Sequence, residues 1–93
     1  MKRDDRYSLV KPLMSTGHIR TFQDLFKFIP KTVIAKDLGM NYTRFTRLIE
    51  NVDDFILRDL FRLAELFEID ELAVLNLVHQ QYLADKKGKK KVK

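Results

Sequence analysis

The chain of 93 residues has no cysteine, which excludes disulfide scaffolds and cysteine-based zinc folds. No apolar run approaches the roughly 20 residues that a membrane-spanning helix needs. The first residues, Met1 to Arg6, are charged and lead into no apolar stretch, so we expect no secretion signal. These absences predict a cytoplasmic protein with no membrane partner.

Patterns typical of catalysis and metal binding are also missing. The three glycines are isolated from one another, so no phosphate-binding loop is present. The two histidines, His18 and His79, lie far apart in the sequence and have no acidic partner at ligand spacing. The only serines, Ser8 and Ser15, lie in no nucleophile motif. We therefore expect no enzyme, no cofactor and no metal site.

Charge is unevenly distributed along the chain. The net charge is +5, but residues 86–93 alone contain six lysines. Residues 16–50 carry six basic and three acidic side chains, whereas residues 51–85 carry two basic and eight acidic ones. Two interpretations stay open: either the basic half meets a polyanion, or the charges only solvate helix surfaces.

The spacing of apolar residues predicts helices and no strand. Ser8 caps a short first helix, which buries Leu9, Leu13 and Met14 and ends at Gly17. Thr21 and Asp24 approximate a capping box for a second helix, which ends at Pro30. Its predicted buried side chains are Phe22, Leu25, Phe26 and Ile29.

Four further helices complete the predicted fold. They span residues 31–38, 41–49, about 56–67, and 71 to about 83, the last capped by Asp70. The third of these buries Leu57, Leu60, Phe61 and Ala64. We expect an all-α, compact bundle of five to six short helices containing a helix-turn-helix. Its parts are an N-terminal extension (1–20), the helical domain (21–84) and a lysine-rich tail (85–93).

The last helix is apolar around more than one side. Leu72, Leu75 and Tyr82 form one line, which Val74, Leu77 and Val78 widen. Such a helix is either deeply buried or shared with a partner. We expect a homodimer through Leu72, Leu75, Val78 and Tyr82, the alternative being that the N-terminal helix covers these residues.

The most specific pattern lies between Ile34 and Leu48. Ala35 allows two short helices to cross closely, and Gly39 can adopt the positive φ of the turn between them. Met40 fills the core from the turn, while Phe45 and Leu48 face back onto the first helix. This spacing is that of a helix-turn-helix.

Here the chain resembles the phage repressor and Cro-type (XRE-like) helix-turn-helix family. The stretch from Ile34 to Met40 is similar to the family's first helix and turn, and the resemblance covers about residues 20–75. It implies that the helix beginning at Asn41 lies in the major groove of double-stranded DNA. Phe45 stands where the family has an aliphatic inward residue.

The resemblance also implies the site residues. With Phe45 inward, Thr43 and Arg47 point outward, Arg44 and Thr46 flank them, and Tyr42 lies near the core edge. The expected base-reading residues are Tyr42, Thr43, Arg44, Thr46 and Arg47. The expected phosphate contacts are Lys31, Lys36 and Asn41. Tyr42 can equally serve core packing, and Asn41 can serve only as a helix cap.

The chain departs from the family at two places, and these differences leave two functions open. The family has glycine and basic or amide residues where this chain has Asp53 and Asp54, which can instead cap the next helix. Glu50 is shifted by one position, because Ile49 stands where the family often has glutamate. We expect a sequence-specific DNA-binding regulator of transcription, repressor-like. The alternative is an antitoxin-like or co-regulator protein-interaction module whose nucleic-acid binding is weak or due to the tail. That tail can bind DNA or RNA, or remain a solvated terminus.

Overall fold

The computed structural model describes residues 5–89, with side chains described as far as residue 87. Predictions for the end of the lysine-rich tail, residues 90–93, lie outside the described residues. The predicted all-α fold is confirmed, since residues 5–89 form only helices, turns and loops. The α-helices are α1 (Val10–Ser15), α2 (Phe22–Leu25), α3 (Lys31–Leu38), α4 (Tyr42–Glu50), α5 (Leu57–Phe67) and α6 (Glu71–Lys89), with short 3-10 helices at Asp5–Leu9 and Val52–Asp54.

The N-terminal extension packs into the core of the helical domain. Tyr7, Val10 and Ile19 are buried in the same cluster as the core side chains of α2 to α6. The ring of Tyr7 lies 5.8 Å from that of Phe67, and its hydroxyl donates a hydrogen bond to Asp37 Oδ2 at 2.5 Å. This segment therefore joins α3 to the end of α5.

The predicted cap of the first helix was wrong. Ser8 lies within the 3-10 helix and its hydroxyl donates to the Asp5 carbonyl, while Leu9 precedes α1 without a side-chain cap. Leu9 is exposed, and the three-residue spacing of the 3-10 helix instead brings Tyr7 and Val10 inward. The predicted end at Gly17 fits its positive φ of 83°.

The predicted capping box of α2 is confirmed, but the helix is shorter than expected. The Thr21 hydroxyl accepts from the Asp24 backbone N–H at 3.3 Å, and Asp24 Oδ2 accepts from the Thr21 N–H at 3.3 Å. After Leu25 the backbone forms hydrogen-bonded turns, and Ile29 still lies in the core. Phe22, Leu25 and Ile29 are completely buried and Phe26 is partly buried.

The buried face of α5 differs from the predicted one. Leu60 and Ala64 are buried as expected, but Leu57 is 59% and Phe61 44% exposed. Leu63 and Phe67 take their place. The helix is turned toward Tyr7 and the N-terminal segment. The apolar spacing of α5 alone does not reveal where that segment lies.

The last helix, α6, extends to Lys89 rather than ending near Leu83. Asp70 caps it as predicted, because its Oδ1 accepts from the Leu72 backbone N–H at 3.2 Å. Val74, Leu77 and Gln81 form its buried side, with Val78 partly buried. The exposed apolar side chains are Leu72, Leu75, Tyr82 and Leu83. The alternative that the N-terminal helix covers this surface is wrong.

Candidate nucleic-acid interface

Helices α3 and α4 are joined by the turn that the sequence predicts. Gly39 has a φ of 71°, and its backbone N–H and that of Met40 bond to carbonyls in the last turn of α3. Ala35 of α3 is buried, and Met40 in the turn is partly buried. The inward side chains Ile34, Leu38, Phe45, Leu48 and Ile49 are all buried.

Arg62 of α5 supports this turn from outside the motif. Its guanidinium donates a hydrogen bond to the backbone carbonyl of Leu38. The same Nη2 lies 3.9 Å from the position that a Cβ on Gly39 would occupy. A charged donor thus satisfies a carbonyl at the end of α3, where no helical N–H remains to do so. No local sequence signal identified Arg62, because its partner is 24 residues away.

Helix α4 begins at an asparagine cap. Asn41 Oδ1 accepts from the backbone N–H groups of Thr43 at 2.8 Å and Arg44 at 3.2 Å. The cap fixes the first turn, on which Tyr42 and Thr43 are exposed. Arg47, one turn further, is also exposed. The predicted outward placement of Thr43 and Arg47 is therefore confirmed.

The two flanking residues are less available than their spacing suggested. The hydroxyl oxygen of Thr46 is buried and has no hydrogen-bond partner, so its side chain offers solvent only apolar atoms. Arg44 is half exposed, and its Nη2 lies 3.9 Å from Oδ2 of Asp59 on α5. Asp59 is 5% exposed and was missed in the sequence, where it follows the polar Arg58 on an amphipathic helix.

A shallow groove of about 320 Å³ runs along the outer side of α4. It is lined by Asn41, Thr43, Arg44, Arg47, Leu48 and Asp54. Asp54 belongs to the 3-10 helix that follows α4. The interpretation of Asp53 and Asp54 as caps of α5 was wrong, because α5 begins after Ile56 without a side-chain cap. Buried Val52 anchors that 3-10 helix and so places Asp54 beside the groove.

The predicted lysines lie on α3. Lys31 begins this helix, and its ammonium nitrogen lies 5.7 Å from the centre of the Phe26 ring. That cation–π contact orients the side chain while leaving it partly exposed. Lys36 is exposed in the last turn of α3. The outer surface of the motif thus combines four basic side chains with the carboxylates of Asp54 and Glu50.

No protein-family model, curated protein or solved structure matches the chain. Within residues 5–89, no helix is long and apolar enough to cross a membrane. The described residues also contain no cluster of three or more histidine or acidic side chains that could hold a metal ion.

Proposed function

We propose that this protein is a sequence-specific DNA-binding regulator that inserts α4 into the major groove. One observation supports the proposal: the cap at Asn41 and the burial of Phe45 and Leu48 fix one side of α4 in the fold, while Thr43 and Arg47 are exposed on its other side. A helix fixed from behind and polar in front has the shape and chemistry that the major groove accepts.

The exposed side chains suit base edges. Arg47 has a guanidinium fork that can donate two hydrogen bonds to a guanine, and Thr43 offers a hydroxyl or a methyl group. Tyr42 is 47% exposed at the leading end of α4, where its ring can meet a sugar or its hydroxyl a phosphate. Thr46 contributes its methyl group, because its hydroxyl oxygen is buried.

The proposed phosphate contacts are the two lysines of α3. Lys31 and Lys36 on α3 lie outside the core and can neutralise backbone charges. The lysine-rich tail adds affinity that does not depend on sequence. Asn41 acts through its cap, which positions the backbone at the start of α4. Asp54 opposes phosphate binding in the groove, so base contacts must supply part of the affinity.

The protein acts as a homodimer through α6. Leu72, Leu75 and Tyr82 are 70%, 36% and 40% exposed on a helix whose other side is buried. An antiparallel pair with Leu75 opposite Tyr82 places Glu71 of one copy near Lys86 of the other. The same register therefore brings together both the apolar side chains and the opposite charges. Val78, predicted as part of this surface, is partly buried within its own chain and lies at the edge.

Arginine substitutions test the proposed base contact. Selection from a random duplex pool supplies the preferred sequence, and Arg47→Ala should weaken binding to it by about 1–3 kcal/mol. Binding to random duplex should weaken far less. Arg58→Ala, which removes an exposed arginine from α5, is the matched control. It should leave the ratio of preferred to random affinity unchanged. Equal loss on both duplexes with Arg47→Ala would contradict the proposal.

A second candidate is a protein-interaction module, favoured by the exposed apolar residues of α5. Phe61 lines a groove of about 840 Å³ together with Arg58, Glu65, Asp70 and Glu71. This mixture fits a basic, amphipathic segment of a partner protein. A stoichiometric complex that survives nuclease, is lost in Phe61→Glu and is retained in Arg47→Ala would establish it. Retention of the complex in Phe61→Glu would exclude this groove as the docking site.

A further inference from the structure

Asp59 is a buried carboxylate at the back of the proposed DNA-binding helix. It is 5% exposed, and its Oδ2 has no hydrogen-bond partner. The cation paired with that oxygen is the guanidinium of Arg44, at 3.9 Å. A buried carboxylate is costly when it lacks a countercharge, so the position of Arg44 matters to Asp59.

Arg44 is placed between two possible partners. Its side chain is 54% exposed and lines the outer groove together with Arg47, so it can also reach toward DNA. Moving to DNA would separate it from Asp59 and leave that carboxylate buried without its cation. A loosely held phosphate is screened by salt and does not offset this loss. A bidentate contact to a correctly placed base offsets it better.

We infer that Asp59 is a specificity-determining residue that acts through Arg44. It holds Arg44 against α5, so that Arg44 contributes little to binding on random duplex. This inference rests on the proposed function, because it concerns how the same surface distinguishes DNA sequences. The ratio of the affinities for preferred and random duplex is thus set in part by a residue buried on α5.

The test measures binding of the full chain to random duplex across a range of salt concentrations. Asp59→Asn keeps the shape of the side chain and removes its charge. The salt slope is the steepness with which the logarithm of the affinity falls with the logarithm of the salt concentration. Asp59→Asn should increase this slope by about 0.9, which corresponds to one additional phosphate contact, and should tighten random-duplex binding about threefold at moderate salt. The ratio of preferred to random affinity should fall accordingly.

The double variant separates a positioning role from a general charge effect. In the Arg44→Gln background, Asp59→Asn should change neither the salt slope nor the ratio, because no guanidinium is left to release. An equal increase in both backgrounds would overturn the inference, since it would reflect only a lost negative charge. Thermal unfolding of each variant controls for changes in the fold.

A second comparison decides the matter if Asp59→Asn does not fold. Arg44→Gln should leave the salt slope of random-duplex binding unchanged, while Lys36→Gln, which removes an exposed proposed phosphate contact, should lower it by about 0.9. Equal decreases would overturn the inference while leaving the proposed function intact. Absence of any preferred duplex for the wild-type chain would overturn the proposed function, and the specificity role of Asp59 with it.

Discussion

The guanidinium of Arg62 donates a hydrogen bond to the backbone carbonyl of Leu38, the last residue of α3. This contact links α5 to the turn at Gly39 and so to the angle between α3 and α4. The orientation of the exposed face of α4 therefore depends on a helix outside the motif.

Replacing Arg62 should destabilise the fold. Arg62→Met keeps most of the aliphatic stem but removes the donors, and should lower the free energy of unfolding by about 1 kcal/mol in chemical denaturation. Arg58→Met, on the same helix and also exposed, should change it by less than about 0.5 kcal/mol. Equal effects of the two substitutions would show that the Leu38 contact contributes nothing specific.

Tyr7 should stabilise α3 through its hydroxyl. Tyr7→Phe keeps the ring contact with Phe67 but removes the bond to Asp37, and should cost about 1 kcal/mol of unfolding free energy. Tyr42→Phe, at an exposed tyrosine, is the control and should cost almost nothing. In an Asp37→Ala background, Tyr7→Phe should lower the free energy of unfolding little further. If Tyr7→Phe still cost about 1 kcal/mol in that background, the pairing of Tyr7 with Asp37 would be contradicted.

Local sequence signals predicted the motif well but not its supports. The turn at Gly39, the cap at Asn41 and the burial of Phe45 depend on neighbours within a few residues, and all are confirmed. The contacts of Arg62 with Leu38 and of Arg44 with Asp59 join separate helices, so no periodicity revealed them. Which apolar side of α5 is buried likewise depended on the N-terminal segment.

Removing the buried hydroxyl of Thr46 should not destabilise the protein. Thr46→Val replaces an unpaired buried oxygen with a methyl group, and should leave the free energy of unfolding unchanged or raise it by up to about 1 kcal/mol. The variant should also keep the preferred DNA sequence, whereas Thr43→Val should alter it. A loss of more than about 1 kcal/mol in thermal or chemical unfolding of Thr46→Val would show that the hydroxyl has a partner.

The proposed dimer should dissociate when its apolar line is broken. In sedimentation experiments at micromolar concentration, the wild-type chain should have twice the monomer mass and Leu75→Glu the monomer mass. Gln80→Glu, exposed on the same helix, should remain dimeric. Val78→Ala should chiefly lower stability, because Val78 is partly buried within its own chain. A monomeric wild type would exclude this interface.

Charge exchange tests the antiparallel arrangement of the two α6 helices. Lys86→Glu should raise the dimer dissociation constant about two- to fivefold, and adding Glu71→Lys should restore it. Failure of the second substitution to restore affinity would exclude the proposed pairing of Glu71 with Lys86, while leaving the dimer itself open to test by Leu75→Glu.

Selection from a random duplex pool measures whether α4 distinguishes DNA sequences. The full chain is used at near-physiological salt, with the five lysines of residues 87–93 replaced by glutamine so that the tail does not bind every sequence, while Lys86 stays in its proposed dimer contact. We expect an enriched motif, with two related half-sites, that a Thr43→Ala/Arg47→Ala variant fails to enrich. Absence of enrichment, with duplex binding recovered only when the lysines are restored, would contradict it.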